Sequence, residues 1–257
     1  MNQLLSGGPR EDGSFEPHLG LIAGNLTAPL PGKPSLLTHD EAQTLFHEFG
    51  HLMHQMLSRV EIKSIGATCV AWDFVEFPSQ IMENWCWEKD ALKLFASHYE
   101  TSEEIPEELF QKLLKARNYL SASSFMRQLG FGLSDLDLHI NYDPEKDGDV
   151  IAYSRKLLQN SASVTLPEYH ATMAGFTHLF GDPVGYAAAY YSYKWAEVLE
   201  ADAFSRFKKE GIFNRETGMS LRREILEQGN SQEAMDLFIS FMGREPDPQA
   251  LLEREGI

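Results

Sequence analysis

Residues 44–51 read Thr-Leu-Phe-His-Glu-Phe-Gly-His, and the prediction of the fold starts from this motif. Residues four apart share one face of a helix, so His47 and His51 can place two imidazoles on one metal ion while Glu48 points beside them. Apolar side chains surround the motif, and Gly50 allows another element to approach closely. These surroundings argue against a solvent-facing helix with two incidental histidines and favour a metal-binding helix.

Glu76, downstream in the chain, is the predicted third ligand. Zinc in a catalytic site takes three protein ligands and leaves one position open for water, and two histidines with one glutamate form a standard set. We therefore expect His47, His51 and Glu76 to hold one Zn²⁺ per chain. Such a site lowers the pKa of water to about 7. Glu48 is too short to reach the metal, so it is the predicted general base, which later passes the proton to the leaving amine.

Three neighbouring side chains keep more than one possible role. His54 follows His51 by three residues and could be a fourth ligand, a hydrogen-bond donor to the site or a packed histidine, and the two non-ligand roles are favoured. Glu41 and Glu83 could each accept the outer N–H of a zinc-bound histidine. A solvated surface glutamate is the alternative for each of them.

Motifs that match one known family run through the whole chain. They are residues 44–51, residues 73–80 (Asp-Phe-Val-Glu-Phe-Pro-Ser-Gln), residues 178–181 (His-Leu-Phe-Gly), residues 185–193 (Gly-Tyr-Ala-Ala-Ala-Tyr-Tyr-Ser-Tyr) and residues 241–246 (Phe-Met-Gly-Arg-Glu-Pro). With them the chain resembles the thimet oligopeptidase and oligopeptidase A family of zinc metallopeptidases, peptidase family M3. The resemblance covers the catalytic half of that family only.

The resemblance implies that His178, Tyr186, Tyr190 and Tyr193 face the substrate. The three tyrosines fall at i, i+4 and i+7, which predicts that their phenols line one face of a helix. A phenol can donate a hydrogen bond to the oxygen that becomes negative during attack on a peptide carbonyl. The alternative is an aromatic stripe that only packs. With the resemblance, catalytic roles are favoured for Tyr186, Tyr193 and His178, while Tyr190 is assigned to substrate binding.

The resemblance also implies a function, namely a zinc-dependent endopeptidase that hydrolyses short peptides. Full-length relatives place a large N-terminal helical lobe opposite the catalytic one, and no counterpart of that lobe is found here. A fragment, a subunit that needs a partner such as a second copy, and a truncated module that binds zinc and peptide with little turnover therefore stay open as alternatives. Zinc and manganese are both possible as the metal in the cell.

Composition sets broad limits on the class of protein. The chain has 257 residues, of which 43% are hydrophobic and 23% charged, so one sizeable core and a single zinc-peptidase catalytic domain over residues 1–257 are expected. The net charge of −16 disfavours binding to nucleic acid or to an anionic membrane. Two cysteines, Cys69 and Cys86, are too few for a disulfide framework. The sequence also shows no apolar targeting or membrane-spanning segment, and both observations favour a cytoplasmic protein.

Local patterns predict a mainly α fold, a zincin-like catalytic lobe with a small β-sheet near the N-terminus. A strand is predicted at residues 19–26, a further strand within residues 60–75, and the metal-binding helix from about residue 39 to 59. Pro78 fits the first turn of a helix that starts near Glu76. Further helices are predicted at residues 85–99, 106–129, 149–159, 186–209, 219–228 and 232–242.

Overall fold

Two small antiparallel sheets open the chain in the computed structural model, which describes residues 1–257. Strand β1 (Asn2–Leu5) pairs with β4 (Leu19–Leu21), and β2 (Gly8–Pro9) pairs with β3 (Phe15–Glu16). The predicted sheet near the N-terminus is therefore confirmed, although the strand from Leu19 ends at Leu21 and does not continue to residue 26.

Helices make up the rest of the fold, as the sequence predicts. They are α1 (His39–Leu57), α2 (Phe77–Glu83), α3 (Lys89–Phe95), α4 (Glu107–Arg117), α5 (Ser121–Ile140), α6 (Val150–Gln159), α7 (Thr177–Phe180), α8 (Ser192–Glu210), α9 (Arg215–Leu221), α10 (Ala234–Met242) and α11 (Gln249–Glu255). None of them combines the length and apolar composition that crossing a bilayer requires.

A capping box fixes the start of α1. Thr38 accepts a hydrogen bond from the backbone N–H of Glu41, and the Glu41 carboxylate accepts one from the backbone N–H of Thr38. Glu41 also accepts hydrogen bonds from the backbone N–H and the hydroxyl of Thr27, at 2.7 and 2.6 Å. Its carboxylate therefore caps the start of the helix. It neither accepts a hydrogen bond from a zinc-binding histidine nor lies free in solvent, so neither of its two predicted roles is observed.

Several predicted elements are wrong in extent because single residues leave helical geometry. The helix predicted over residues 106–129 is broken at Leu120, which has a φ of 57° in the left-handed region. The helix predicted from Tyr186 begins only at Ser192, because Ala188 also has a φ of 57°. The segment predicted as helix over residues 85–99 is a 3₁₀ turn followed by α3.

Two other differences concern element type and number. Residues 60–75 contain a 3₁₀ turn at Lys63–Ile65 in place of the predicted strand, and Ala67 has a φ of 55°. The helix predicted over residues 219–228 is the end of α9 followed by a π turn at Arg222–Leu226, and α11 has no counterpart among the predicted helices. These turns depend on distant packing, which local periodicity does not encode.

The main hydrophobic core lies where α2 packs between α1 and α8. Phe74 and Phe77 stack with ring centroids 5.2 Å apart, and Phe77 meets the edge of Phe238 from α10 at 6.3 Å. All three side chains are almost completely buried. Fully burying a phenylalanine stabilises a fold by about 1.5–3 kcal/mol, so this cluster anchors the short helix α2 that follows Glu76.

Two arginine–carboxylate pairs tie the C-terminal segment to α8. Arg244 forms a bidentate pair with the buried carboxylate of Asp202, with N–O distances of 2.5 and 2.6 Å. Arg254 of α11 pairs with the buried Glu200, which also accepts a hydrogen bond from Asn84 at 2.5 Å. A buried carboxylate without a partner would destabilise the fold, and here each of the two is paired with an arginine inside the protein.

Helices α1 and α2 touch through their backbones at Gly50. A Cβ atom built at Gly50 would lie 2.2 Å from the carbonyl oxygen of Pro78 and 2.6 Å from the Cα of Ser79. No side chain larger than hydrogen fits between the two helices at this point. The glycine therefore sets the distance between the histidines of α1 and the glutamate that precedes α2.

We expect Gly50→Ala to lower the free energy of unfolding by about 1–3 kcal/mol, because the new methyl group would push two backbones apart. Gly218→Ala is the matched control, since Gly218 lies in α9 with no atom within 4 Å of the place that a Cβ would occupy and gains up to ~1 kcal/mol of helix propensity. Urea unfolding of both variants measures the difference. Equal stability of Gly50→Ala and wild type would contradict the contact.

Candidate active site

Helix α1 and the residue before α2 bring three metal-binding side chains together. The donor atoms of His47, His51 and Glu76 all lie within 4.8 Å of one another. Glu76 Oε2 is 3.3 Å from His47 Nε2 and 3.2 Å from His51 Nε2, and the glutamate is buried. The helical spacing brings the two histidines together, and the contact between α1 and α2 adds Glu76 to them.

The chemistry of these donors fits a zinc ion. With zinc–ligand bonds near 2.0–2.2 Å, the edge of a tetrahedral site is about 3.4 Å long, close to the observed distances. His47 Nδ1 donates a hydrogen bond to Glu83 Oε1 at 2.7 Å, and its Nε2 faces Glu76 Oε2, so Nε2 is placed to coordinate a metal ion when it carries no proton. A positive charge, either a proton or a metal ion, satisfies donors that converge in this way.

The titration behaviour of the cluster shows the same demand for positive charge. Burial alone would lower the pKa of His47, but the carboxylates of Glu76 and Glu83 outweigh burial and raise that pKa to about 9. Burial alone would raise the pKa of Glu76, but hydrogen bonds from His47 and His51 hold it well below the usual range. Both ligands therefore favour the charged partner that a metal ion would provide.

The side chains with open roles now have definite positions. Glu83, not Glu41, accepts from a ligand histidine, since it receives the outer N–H of His47. His54 is fully buried in the interior, stands outside the ligand cluster, and neither of its ring nitrogens has a hydrogen-bond partner. It is therefore a packed histidine. His51 Nδ1 is also buried without a partner in the protein.

Glu76 is held by two further donors besides the histidines. The hydroxyl of Ser79 donates to Oε2 at 2.9 Å, and the phenol of Tyr186 donates to Oε1 at 3.1 Å. Glu48 lies on α1 beside His47, where its carboxylate contacts the α-amino group of Met1. The structure thus places Glu48 next to the ligands without making it part of the ligand cluster.

Four aromatic side chains stand over the cluster and are called the aromatic wall: His178, Tyr186, Tyr190 and Tyr193. His178 stacks on Tyr186 with centroids 4.2 Å apart, and Tyr186 stacks on Tyr193 at 5.5 Å. His178 Nε2 and the Tyr193 hydroxyl share a hydrogen bond of 2.8 Å. The prediction that the three tyrosines line one face of a helix is wrong, because residues 186–191 form turns. The three phenol rings nevertheless pack against one another.

The buried carboxylate of Asp135 explains why the tyrosine segment turns. Its oxygens accept hydrogen bonds from the backbone N–H groups of Ala188 at 3.1 Å and Tyr190 at 2.9 Å. His139, one turn along α5, faces the same carboxylate at 3.0 Å. Sequence reasoning missed Asp135. The spacing of four residues between Asp135 and His139 was the available signal, but both residues lie beyond the helix predicted over residues 106–129, and the spacing does not reveal the backbone partners.

The phenols of the wall differ in what they contact. The Tyr190 hydroxyl donates to Gln128 Oε1 of α5 at 2.8 Å, whereas Tyr193 and His178 border an open cleft of about 390 Å³ that Tyr190 also lines. Burial raises the pKa of Tyr186 to about 12 and raises the pKa of Tyr193 well above its ordinary value. Both phenols therefore stay protonated hydrogen-bond donors at neutral pH.

Comparisons with known proteins find one matching family and several similar chains. The family described as peptidase family M3 matches residues 1–257. Oligopeptidase A of Escherichia coli (strain K12) is 49% identical over 96% of this chain, that of Salmonella typhimurium 48% over 96%, and that of Haemophilus influenzae 47% over 96%. In each case the match covers 36% of the relative, so the chain spans about a third of the length of these relatives.

The burial of His54 generates a prediction for stability against pH. Burial lowers the pKa of His54 to about 4, below that of an exposed histidine, so the unfolded chain binds a proton first as pH falls. The contribution of neutral His54 to the free energy of unfolding is therefore complete above about pH 6.5. It is lost progressively toward pH 4, by up to about 3 kcal/mol. We expect both His54→Leu and His54→Gln to remove this part of the pH dependence.

The two variants separate charge from polarity. At pH 7.5 His54→Leu should exceed wild type in free energy of unfolding by about 1 kcal/mol, because no unpaired ring nitrogen remains buried, whereas His54→Gln should not. Urea unfolding between pH 4.5 and 7.5, with chelator present to exclude metal binding, measures both effects. A variant that keeps the wild-type slope would show that His54 is not the group that titrates.

Proposed function

The chain belongs to peptidase family M3, and on that premise we propose that it hydrolyses peptide bonds with a zinc ion held by His47, His51 and Glu76. The observation that carries the proposal is the convergence of two imidazole nitrogens and one buried carboxylate oxygen below the aromatic wall. Zinc bound there would supply Lewis acidity and bring the ionisation of water near neutrality.

Glu48 is the proposed general base. Glu48 lies between the two ligand histidines on α1 and outside the ligand cluster, and its carboxylate, which contacts the α-amino group of Met1 in this structure, is proposed to turn to the attacking water. In this role it takes a proton from the attacking water and passes that proton to the leaving amine. Glu83 supports the centre differently, because its hydrogen bond fixes the ring of His47 and directs Nε2 inward.

Tyr186, Tyr193 and His178 are the proposed groups that stabilise the developing negative charge. The stacked phenols remain protonated at neutral pH, and the hydrogen bond to His178 orients the Tyr193 hydroxyl. The Tyr186 hydroxyl donates to Glu76 Oε1 in this structure, so in the proposed role it exchanges that acceptor for the oxyanion. Tyr190 is proposed to contact substrate through its ring, since its hydroxyl is already used by Gln128.

Short peptides in the cytoplasm are the proposed substrates. The relatives named oligopeptidase A support this size class, and the cleft of about 390 Å³ lies within the range of sites that enclose small ligands. The net charge of −16 gives no support to nucleic-acid or anionic-membrane partners. One domain over residues 1–257, with a missing N-terminal lobe or a second copy of the chain as its partner, is part of the same proposal.

The first test replaces the base. We expect Glu48→Gln to keep one zinc ion per chain by elemental analysis while cleavage of a quenched fluorescent peptide falls by about 1,000-fold or more, because the amide cannot accept the proton. Removal of zinc with EDTA should abolish wild-type cleavage, and added zinc should restore it. The matched control is Glu61→Gln, a change of the same kind at an exposed position.

Three outcomes separate the possible roles of the chain. Full activity of Glu48→Gln would exclude Glu48 as the base. Cleavage that survives complete zinc removal would exclude metal-dependent hydrolysis. Zinc and peptide binding without chelator-sensitive cleavage by wild type would identify a binding module in place of a peptidase.

The second test concerns the aromatic wall. We expect Tyr193→Phe to lower kcat by about 100-fold with little change in KM, because the lost hydroxyl acts on the transition state more than on the bound substrate. Tyr191→Phe is the matched control. The Tyr191 hydroxyl is exposed and bonds to Asp73 outside the wall, so less than a twofold change is expected. Equal kcat values for the two variants would mean that Tyr193 only packs.

A further inference from the structure

A second cavity, of about 230 Å³, lies between α5, the end of α6 and residues 161–172. Its polar lining consists of hydrogen-bond donors, namely Arg127, His170 and the hydroxyls of several serines and Thr172, while Phe131, Leu158 and Leu166 form an apolar side. No carboxylate lines it, although the chain carries 38 acidic residues. The cavity therefore combines a surface suited to an anion with a surface suited to an apolar group.

The guanidinium of Arg127 is available for a ligand. It stacks over the ring of Phe131, with Cζ 5.1 Å from the centroid, but it has no hydrogen bond and no ion pair within the protein. Some other arginines of the chain are paired, such as Arg206 with Glu210 and Arg244 with Asp202, whereas the exposed side chain of Arg127 keeps its donors for solvent or a ligand. A guanidinium offers five donors in a planar fork that matches a carboxylate, so its free donors define the chemistry of the cavity.

The cavity borders the same stretch of α5 as the open cleft of about 390 Å³ beside the aromatic wall. Arg127 lines the cavity, while the next residue on α5, Gln128, lines the cleft and accepts a hydrogen bond from the Tyr190 hydroxyl. Phe131, at the apolar side of the cavity, meets Tyr190 edge-on with centroids 5.7 Å apart. Neighbouring residues of α5 therefore line the two spaces, and a peptide that used both would extend around the Phe131–Tyr190 contact.

We propose that this cavity is the subsite for the C-terminal residue of a peptide substrate, with Arg127 binding the terminal carboxylate and Phe131 and Leu158 receiving an apolar side chain. The proposal rests on the proposed peptidase function and specifies its substrates. A C-terminal apolar residue presents a carboxylate and an apolar group from one Cα atom. The carboxylate of an internal Asp or Glu side chain would leave the apolar side of the cavity unfilled.

The test measures binding, so that it does not depend on turnover. Three dansyl-labelled hexapeptides are titrated against zinc-loaded Glu48→Gln: five alanines and a terminal leucine as the free acid, the same peptide as its C-terminal amide, and an amide that ends in glutamate. We expect the free acid to bind about tenfold more tightly than either amide, because the leucine amide lacks the carboxylate for a charge-assisted pair and the glutamate amide lacks the apolar group that fills the rest of the cavity.

Variants of Arg127 assign that preference to the cavity. In the Glu48→Gln background, Arg127→Gln should remove the tenfold preference and leave binding of the amide unchanged, while Arg127→Lys should keep part of it. Arg223→Gln, which removes an exposed arginine outside the cavity, should keep all of it. Urea unfolding confirms that each variant is folded.

The outcomes distinguish this inference from the proposed activity. Equal binding of the acid and the leucine amide, a preference for the glutamate amide, or a preference that survives Arg127→Gln would overturn the subsite, even if wild type cleaves both leucine peptides. An Arg127-dependent preference for the free acid supports the subsite, even if wild type cleaves neither peptide and the peptidase proposal fails.

Discussion

The backbone contact between α1 and α2 at Gly50 is the constraint on which the site depends. Two histidines on one helix cannot close a metal centre alone, since the third ligand must come from another part of the chain. The missing side chain at residue 50 lets Pro78 and Ser79 approach α1 directly, which brings Glu76 to within 3.3 Å of both imidazoles. The phenylalanine core behind α2 then holds that approach in place.

Electrostatics around Glu76 follow from that geometry. A buried carboxylate is costly unless several donors satisfy it, and here two imidazoles, the Ser79 hydroxyl and the Tyr186 phenol all point at its oxygens. The link to Tyr186 also joins the ligand cluster to the aromatic wall. One side chain is therefore shared between metal binding and the surface proposed to face the substrate.

Sequence patterns predicted the parts of the protein that depend on local spacing. The interval from His47 to His51 and the mainly helical fold are properties of short segments, and the structure contains both of them. The path of the tyrosine segment was not predictable in this way. It depends on Asp135, more than 50 residues away, whose hydrogen bonds hold a left-handed turn at Ala188 that helical periodicity conceals.

The hydrogen bonds around the site join residues that are far apart in the sequence, and these separations imply an order of assembly during folding. His47 and Glu83 are 36 residues apart, whereas Asn84, the next residue, meets Arg254 across 170 residues. Contacts between distant residues form late because closing a long loop costs more entropy. Helices α1 and α2 can therefore meet while α8 and α11 are still undocked. During folding, an ion could reach its ligands before the surface for the peptide exists.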